Sequence, residues 1–381
     1  MPESGGNGPV GGGRGQRPPP EFLKSVRRPL AIGVAVLSGP LAWGMSQLAE
    51  PAWVERHFAM GWTRAFAAGI GSITGLAPFS VAQVGGLILA VALLVGLGRG
   101  LRRPDRRVWA LRRALPSVLA VASFGYAVFV AVWGLNYRRE PLARTLHFST
   151  ERPTADEVAA LAEWIVDEMN ERRTAVAQDA DGAFVLEAGV AGALARAEVL
   201  MAAAGETWPM LRGRYASPKP ILGSALISYV GVGGIYIPFT GEPHVNIDVP
   251  ASSIPFNVCH ELAHQRGVAR EDEANFVAFL VGLERGDADF AYSASLAGAS
   301  YVIQAWQDVD PDGAAEVWSR RSSAVERDLA VKRAWRTAHE GAAQEAGEQV
   351  NNAYLRSNGV KDGHHSYGRV VDLMVAWRRA G

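Results

Sequence analysis

The sequence predicts an α+β chain that is mostly helical, with three transmembrane helices followed by an extracytoplasmic domain carrying a small antiparallel sheet. Three observations predict it. Long uncharged runs crowd the first third of the 381 residues, nearly all acidic residues lie after Glu140, and a glycine-broken, β-rich stretch precedes a helical motif.

Residues 1–28 read as a disordered basic tail. The run PVGGGRGQRPPP buries too little apolar surface to fold, and Lys24, Arg27 and Arg28 stand directly before an apolar stretch. No charge occurs between Arg28 and Glu50, between Arg64 and Arg99, or between Arg113 and Arg138. Each gap can hold the roughly 20 apolar residues that cross a bilayer core of about 30 Å. Spans are expected at about 30–49, 78–97 and 115–136, which makes residues 29–137 a three-helix anchor. Trp43, Trp62, Trp109, Trp133 and Tyr137 sit near the ends of these runs, where aromatic belts form. The N-terminal segment and the loop between spans two and three are rich in arginine, whereas the loop between spans one and two has only Arg56 and Arg64. The positive-inside rule then puts the N-terminus in the cytoplasm and everything after about Asn136 outside it.

Residues 138–381 read as one mostly helical domain. Thr154-Ala-Asp-Glu157 is a capping box that opens a helix to about Arg173, and Glu187 to Ala204 predicts a second helix. Phe290 to Gln307 reads as a buried helix. Pro220 to Gly241, interrupted by Gly231, Gly233, Gly234 and Pro238, reads as strands and turns. Ile235 to Asp248 alternates partly, as an edge strand able to pair with an extended peptide would, and Tyr236 and Asn246 are candidates to face the cleft. A net charge of +0 argues against nucleic acid as a partner, and the single cysteine, Cys259, cannot form an internal disulfide.

The chemistry-bearing motif is His260-Glu261-Leu262-Ala263-His264. Residues four apart on a helix share a face, so two neutral imidazoles there can hold one Zn²⁺. Glu261 lies beside the metal, where a carboxylate can take a proton from a water held by zinc. Pro255 suits the first turn of this helix, and Gly267 suits its C-terminal stop. A catalytic zinc needs a third protein ligand. The pattern resembles that of metzincins up to Gly267, but Arg270 stands at their last ligand position, and arginine cannot ligate. The ligand then comes from Glu271, Asp272 or Glu273. Glu271 is preferred because Ala274 and Ala278 on its face allow close approach, and because Glu271-Asp-Glu-Ala274-Asn275 resembles the Glu-x-x-Ala-Asn/Asp motif of gluzincin-type peptidases. Glu273 is the alternative. Tyr367 and Arg369 are candidates to stabilise an oxyanion, and Tyr236 to contact substrate.

Several segments together resemble one bacterial family. They are Ser228-Tyr-Val-Gly231, Gly234 through Glu242, Cys259 through Gly267, Arg270 through Asn275, Tyr354 through Asn358, Ser366 through Asp372, and Pro78-Phe-Ser80 in the anchor. The family is a domain-of-unknown-function group of three-span membrane proteins with an HExxH domain. The resemblance implies a zincin-like fold in a bacterial cell membrane. Pro243-His244 departs from the alanine and small polar residue expected there, which bears on the cleft wall. The expected function is a membrane-anchored zinc metallopeptidase acting on a peptide or protein in the cell envelope. The competing expectation is a membrane-anchored binding or sensory module with a structural zinc.

Overall fold

A computed structural model describes residues 21–102, 107–357 and 367–381, so the reading of the tail as disordered lies outside the described residues for 1–20, whereas residues 21–28, read as part of that tail, are helical. The chain is mostly helical. Helix α1 (Glu21–Leu48) is followed by a turn that winds as a π-helix over Val54–Thr63 and continues as α2 (Arg64–Thr74). Helices α3 (Val81–Leu101) and α4 (Arg107–Val132) complete the N-terminal part. Three segments, Leu30–Leu48, Val81–Gly100 and Leu115–Val132, are long and apolar enough to cross a membrane.

The ends of these helices differ from the sequence expectation for local reasons. Helix α3 starts at Val81 rather than at Pro78, because the Ser80 hydroxyl caps it by accepting the Gln83 amide at 3.0 Å. Helix α4 stops at Val132 rather than Asn136. The chain breaks at Trp133 into a tight turn, Gly134–Arg138, where a β-carbon on Gly134 would lie 2.8 Å from the Phe129 ring. Helices α1 and α4 pack together through Ser123, whose hydroxyl donates to the Val36 carbonyl and accepts the Gly39 amide. Helix α3 stands apart, with none of its apolar window buried.

The C-terminal body is built from α5 (Ala155–Arg173), α6 (Gly189–Thr207), α7 (Ile254–Gln265), α8 (Glu271–Arg285), α9 (Ala288–Gln307), α10 (Pro311–Ser319), α11 (Ser323–His339), α12 (Ala342–Ser357) and α13 (Tyr367–Ala380). The capping box at Thr154 forms as the sequence predicts, with Thr154 and Glu157 satisfying each other's amides. Helix α9 is buried along most of its length, as expected of Phe290 to Gln307. The core joins one face each of α5, α6, α7, α8, α9 and α13, and includes Met169, Met201, Leu262, Phe279, Leu296 and Met374.

The sheet corrects the expectation of an antiparallel one. It is mixed and three-stranded, in the order β1 (Lys219–Pro220), β3 (Glu242–Val245), β2 (Gly234–Ile237). Strands β2 and β3 form an antiparallel hairpin whose turn closes at Gly241, at φ 67°. Strand β1 runs parallel to β3, because the chain reverses twice on the way, through the helical turn Ser224–Ser228 and through β2. The single edge strand read over Ile235 to Asp248 is therefore two strands. Of these two, β2 is at an edge of the sheet, while β3 is central and all four of its residues are buried.

The stretch read as a simple loop between the first two spans is part of this body. Arg64 donates to the Pro209 and Met210 carbonyls at 2.9 Å each, and Thr74 donates to the Thr240 carbonyl at 2.9 Å. Lys219 reaches the carbonyls of Thr74 and Phe79. A boundary at residue 138 would cut through this packing.

Candidate metal centre

Helices α7 and α8 carry the centre. Pro255 stands in the first turn of α7, where its missing N–H costs nothing. The helix ends at Gln265, and Gly267 just beyond it, with a φ of 82°, turns the chain sharply toward α8. Arg139 fixes that corner by donating to the Gly267 carbonyl at 2.9 Å while its guanidinium forks onto Glu55 at 2.6 and 2.8 Å.

His260 and His264 project from one face of α7, with ring centroids 4.5 Å apart and planes nearly perpendicular. The first residue of α8, Glu271, meets both. Its carboxylate oxygens lie 3.2 Å from His260 Nε2 and 3.6 Å from His264 Nε2. All three donor atoms fall within 4.8 Å of one another. The alternative acid, Glu273, is brought elsewhere: it accepts the Leu142 amide at 2.8 Å and pairs with Arg270 at 3.0 Å. Asp272 pairs with Arg369 at 2.8 Å, which ties Arg369 to the ligand helix. The structure thus separates three adjacent acids that the sequence left as alternatives.

Second contacts orient the rings. His264 donates Nδ1–H to the Val268 carbonyl at 2.7 Å, a bond that turns Nε2 toward Glu271. His260 Nδ1 and Glu261 Oε2 are buried without a hydrogen-bond partner among the described residues. Burial pushes the Glu261 carboxyl up to about 7, against the pull of the two imidazoles and the Tyr236 amide. Burial also works against the charged form of Glu271, but the His264 and His260 rings beside it win and hold its carboxyl below the usual carboxylate range. Burial disfavours the His264 imidazolium too, yet Glu271 outweighs it and raises that ring to about 9.

These residues fit a zinc ion. Two imidazole nitrogens and one carboxylate are a known catalytic donor set. Bonds of roughly 2.0–2.1 Å in a tetrahedron place neighbouring donors about 3.3 Å apart, close to the 3.2 and 3.6 Å separations found.

Strand β2 forms the wall next to Glu261. A β-carbon on Gly234 would lie 2.5 Å from Glu261 Cγ and Oε1, so only glycine lets the strand pass this close. Tyr236 is buried in an aromatic cluster with Trp133 and Tyr137, its ring 6.0 Å from Trp133. Its phenol is pushed well above its usual range by burial. Asn246 is also turned inward, donating to Ser228 Oγ and the Val232 carbonyl. Tyr367 opens α13, and its side chain lies outside the described residues. Cys259 is fully buried, with its thiol pushed up to about 12 by burial.

Sequence reading missed the groups that fasten the centre to the apolar helices. Trp133, directly after α4, donates its indole N–H to the His264 carbonyl at 3.2 Å. Glu242 on β3 accepts the first two amides of α3, Val81 at 3.0 Å and Ala82 at 2.8 Å, and pairs with Lys219 at 2.7 Å. His244, one of the two residues that depart from the expected family pattern, meets Ser80 Oγ at 2.6 Å. That departure was the available signal.

No curated protein and no solved structure is detectably similar to this chain. The family described as "Protein of unknown function (DUF3810)" matches residues 58–375, from the π-helix to α13. With most of its length matched, including the centre and its fastenings, the chain belongs to that family of unknown function.

Proposed function

We propose that the chain is a membrane-anchored, zinc-dependent hydrolase, a metallopeptidase of zincin type, with His260, His264 and Glu271 holding Zn²⁺. Its chief support is the convergence of two Nε2 atoms and one carboxylate beside a buried acid, Glu261. When bound, Zn²⁺ supplies Lewis acidity toward water and toward a carbonyl oxygen.

The remaining steps belong to the chain's own residues. Glu261 is the general base: its buried carboxylate accepts a proton from water and returns it to the leaving amide nitrogen. Val268 holds His264 in one tautomer, and the α7–α8 corner holds Glu271 against both rings. Edge strand β2 runs alongside Glu261 with one side unpaired in the sheet, which suits an extended peptide. Three such donors gather among the described residues, so a tetrahedral zinc held by them would keep one position for water, as catalytic sites do and closed structural sites do not. That openness favours the enzyme over the binding module.

Three apolar helices support residence in the lipid bilayer, and the arginine-rich tail and second loop support a cytoplasmic N-terminus. The test uses the full chain. Wild type should carry about one zinc and cleave peptides, and Glu261→Gln should keep the metal and lose cleavage. Cleavage undiminished by Glu261→Gln would refute the assignment.

A further inference from the structure

We infer that the substrate of this site is a membrane-anchored polypeptide, cut in the short segment where it leaves the bilayer. This rests on the hydrolase reading above and names its substrate class.

The apolar window of α4 ends at Val132, and the next residue already touches the centre. Trp133 donates to the His264 carbonyl at 3.2 Å, and the two rings lie 6.2 Å apart. The cleft's strand side is fastened in the same way. Ser80, the cap of α3, meets His244 Nε2 at 2.6 Å. Ile235 is the register partner of His244 on β2, and neighbouring Gly234 abuts Glu261. Two apolar helices therefore start or stop on the elements that build the cleft.

The headgroup layer extends only about 5–8 Å beyond the hydrocarbon on each side. A histidine about 6 Å from the residue that follows a span stands at headgroup height. The surface suits that depth: Ile235 and Phe239 are each 47% exposed, and Phe79, at the foot of α3, is 51% exposed. A folded soluble protein reaches this height only by pushing its own surface among headgroups. A chain emerging from the bilayer is already there. Extended backbone advances about 3.3–3.6 Å per residue, so the bond that Glu261 serves lies within about five residues of the substrate's own span. Water adds across that bond: the C–N bond breaks, the hydroxyl goes to the carbonyl carbon and the proton to the leaving nitrogen.

The test uses the zinc-loaded full chain in phosphatidylcholine–phosphatidylglycerol vesicles. Its substrates are single-span helices bearing a randomised extramembrane segment of about 20 residues, and the same segment free in solution. Mass spectrometry should find Glu261-dependent cuts concentrated within about five residues of the span, a bias that shared residence in the membrane would not itself create. Cuts spread evenly along the segment, or equal cleavage of the free segment, overturn the inference and leave the hydrolase standing. Glu261-dependent breakdown of the vesicle lipid instead of the peptide also overturns it. Absence of Glu261-dependent cleavage in every arm removes both readings. A readout without catalysis is the depth of a spin label on Ile235→Cys in a Cys259→Ala background, with Phe239→Cys as the second site. Both labels should lie at phosphate level, and labels well out in water overturn the inference whatever the activity.

Discussion

Glu271 and Glu273 lie two residues apart on one helix yet face different partners, so replacing each with alanine separates metal from fold. Glu271→Ala removes a carboxylate that faces both imidazoles at 3.2 and 3.6 Å. Loss of an outer-sphere partner already weakens metal sites by about 10–100-fold, so loss of this donor should weaken zinc binding by at least about 100-fold. The metal-free protein also loses the pairing of Glu271 with His264, a cost kept modest because the Glu271 side chain is 31% exposed. Glu273→Ala strands the buried Leu142 amide and leaves Arg270 without its carboxylate. An orphaned buried donor costs about 1–3 kcal/mol and a broken, largely buried ion pair more, so a total of about 2–5 kcal/mol is expected. For a body of this size that lowers the melting temperature by on the order of 10 °C. Zinc titration by competition with a chelator and thermal unfolding in the presence of excess chelator read the two effects separately. A Glu273→Ala protein that melts normally but binds no zinc, beside a Glu271→Ala protein that still binds it, would refute the assignment.

Three further perturbations test other parts of the account. Gly234→Ala places a β-carbon where Glu261 Oε1 now sits 2.5 Å away, so the base must shift; zinc content should be unchanged and hydrolysis should fall by about 100-fold, the usual cost of a misplacement near 1 Å. Glu242→Gln leaves the buried Lys219 ammonium without its partner at 2.7 Å and weakens the cap of α3; thermal unfolding of the full chain should register a loss of about 3–5 kcal/mol, and an unchanged melting temperature would show the fastening to be idle. Glu157 is held down to about 2 by Arg379 and the Thr154 amide. A lowered native value means its contribution is complete above its unfolded value near 4.5 and is lost as pH falls toward 2. Acid unfolding followed by circular dichroism should therefore flatten over that window in Glu157→Gln.

Local features could be read from the sequence because their causes are local. The histidine pair at i and i+4, the stop at Gly267, the capping box at Thr154 and the small residues behind Glu271 all act within a few residues of one another. The preference for Glu271 over Glu273 rests on the same kind of spacing; the fold brings Glu271 to both imidazoles and Glu273 to the Leu142 amide. What escaped was long-range. Trp133 meets His264 across 131 positions and Ser80 meets His244 across 164. No periodicity records such a pairing. The helical stretch between α1 and α3 reads as a loop because its partners, Pro209, Met210 and Thr240, lie far along the chain. The direction of β1 depended on two intervening reversals, which a two-residue strand cannot announce. These contacts also mean that residues 138–381 alone lack part of their own packing, so experiments belong on the full chain.

X-ray absorption at the zinc edge of the full-length protein in its membrane is the most direct test of the centre. The expected spectrum has two imidazole nitrogens and oxygen donors at about 2.0–2.1 Å, four-coordinate, with one imidazole lost in His264→Ala. A folded chain that binds no zinc after saturation, or one whose zinc lacks the paired imidazoles, would contradict the account.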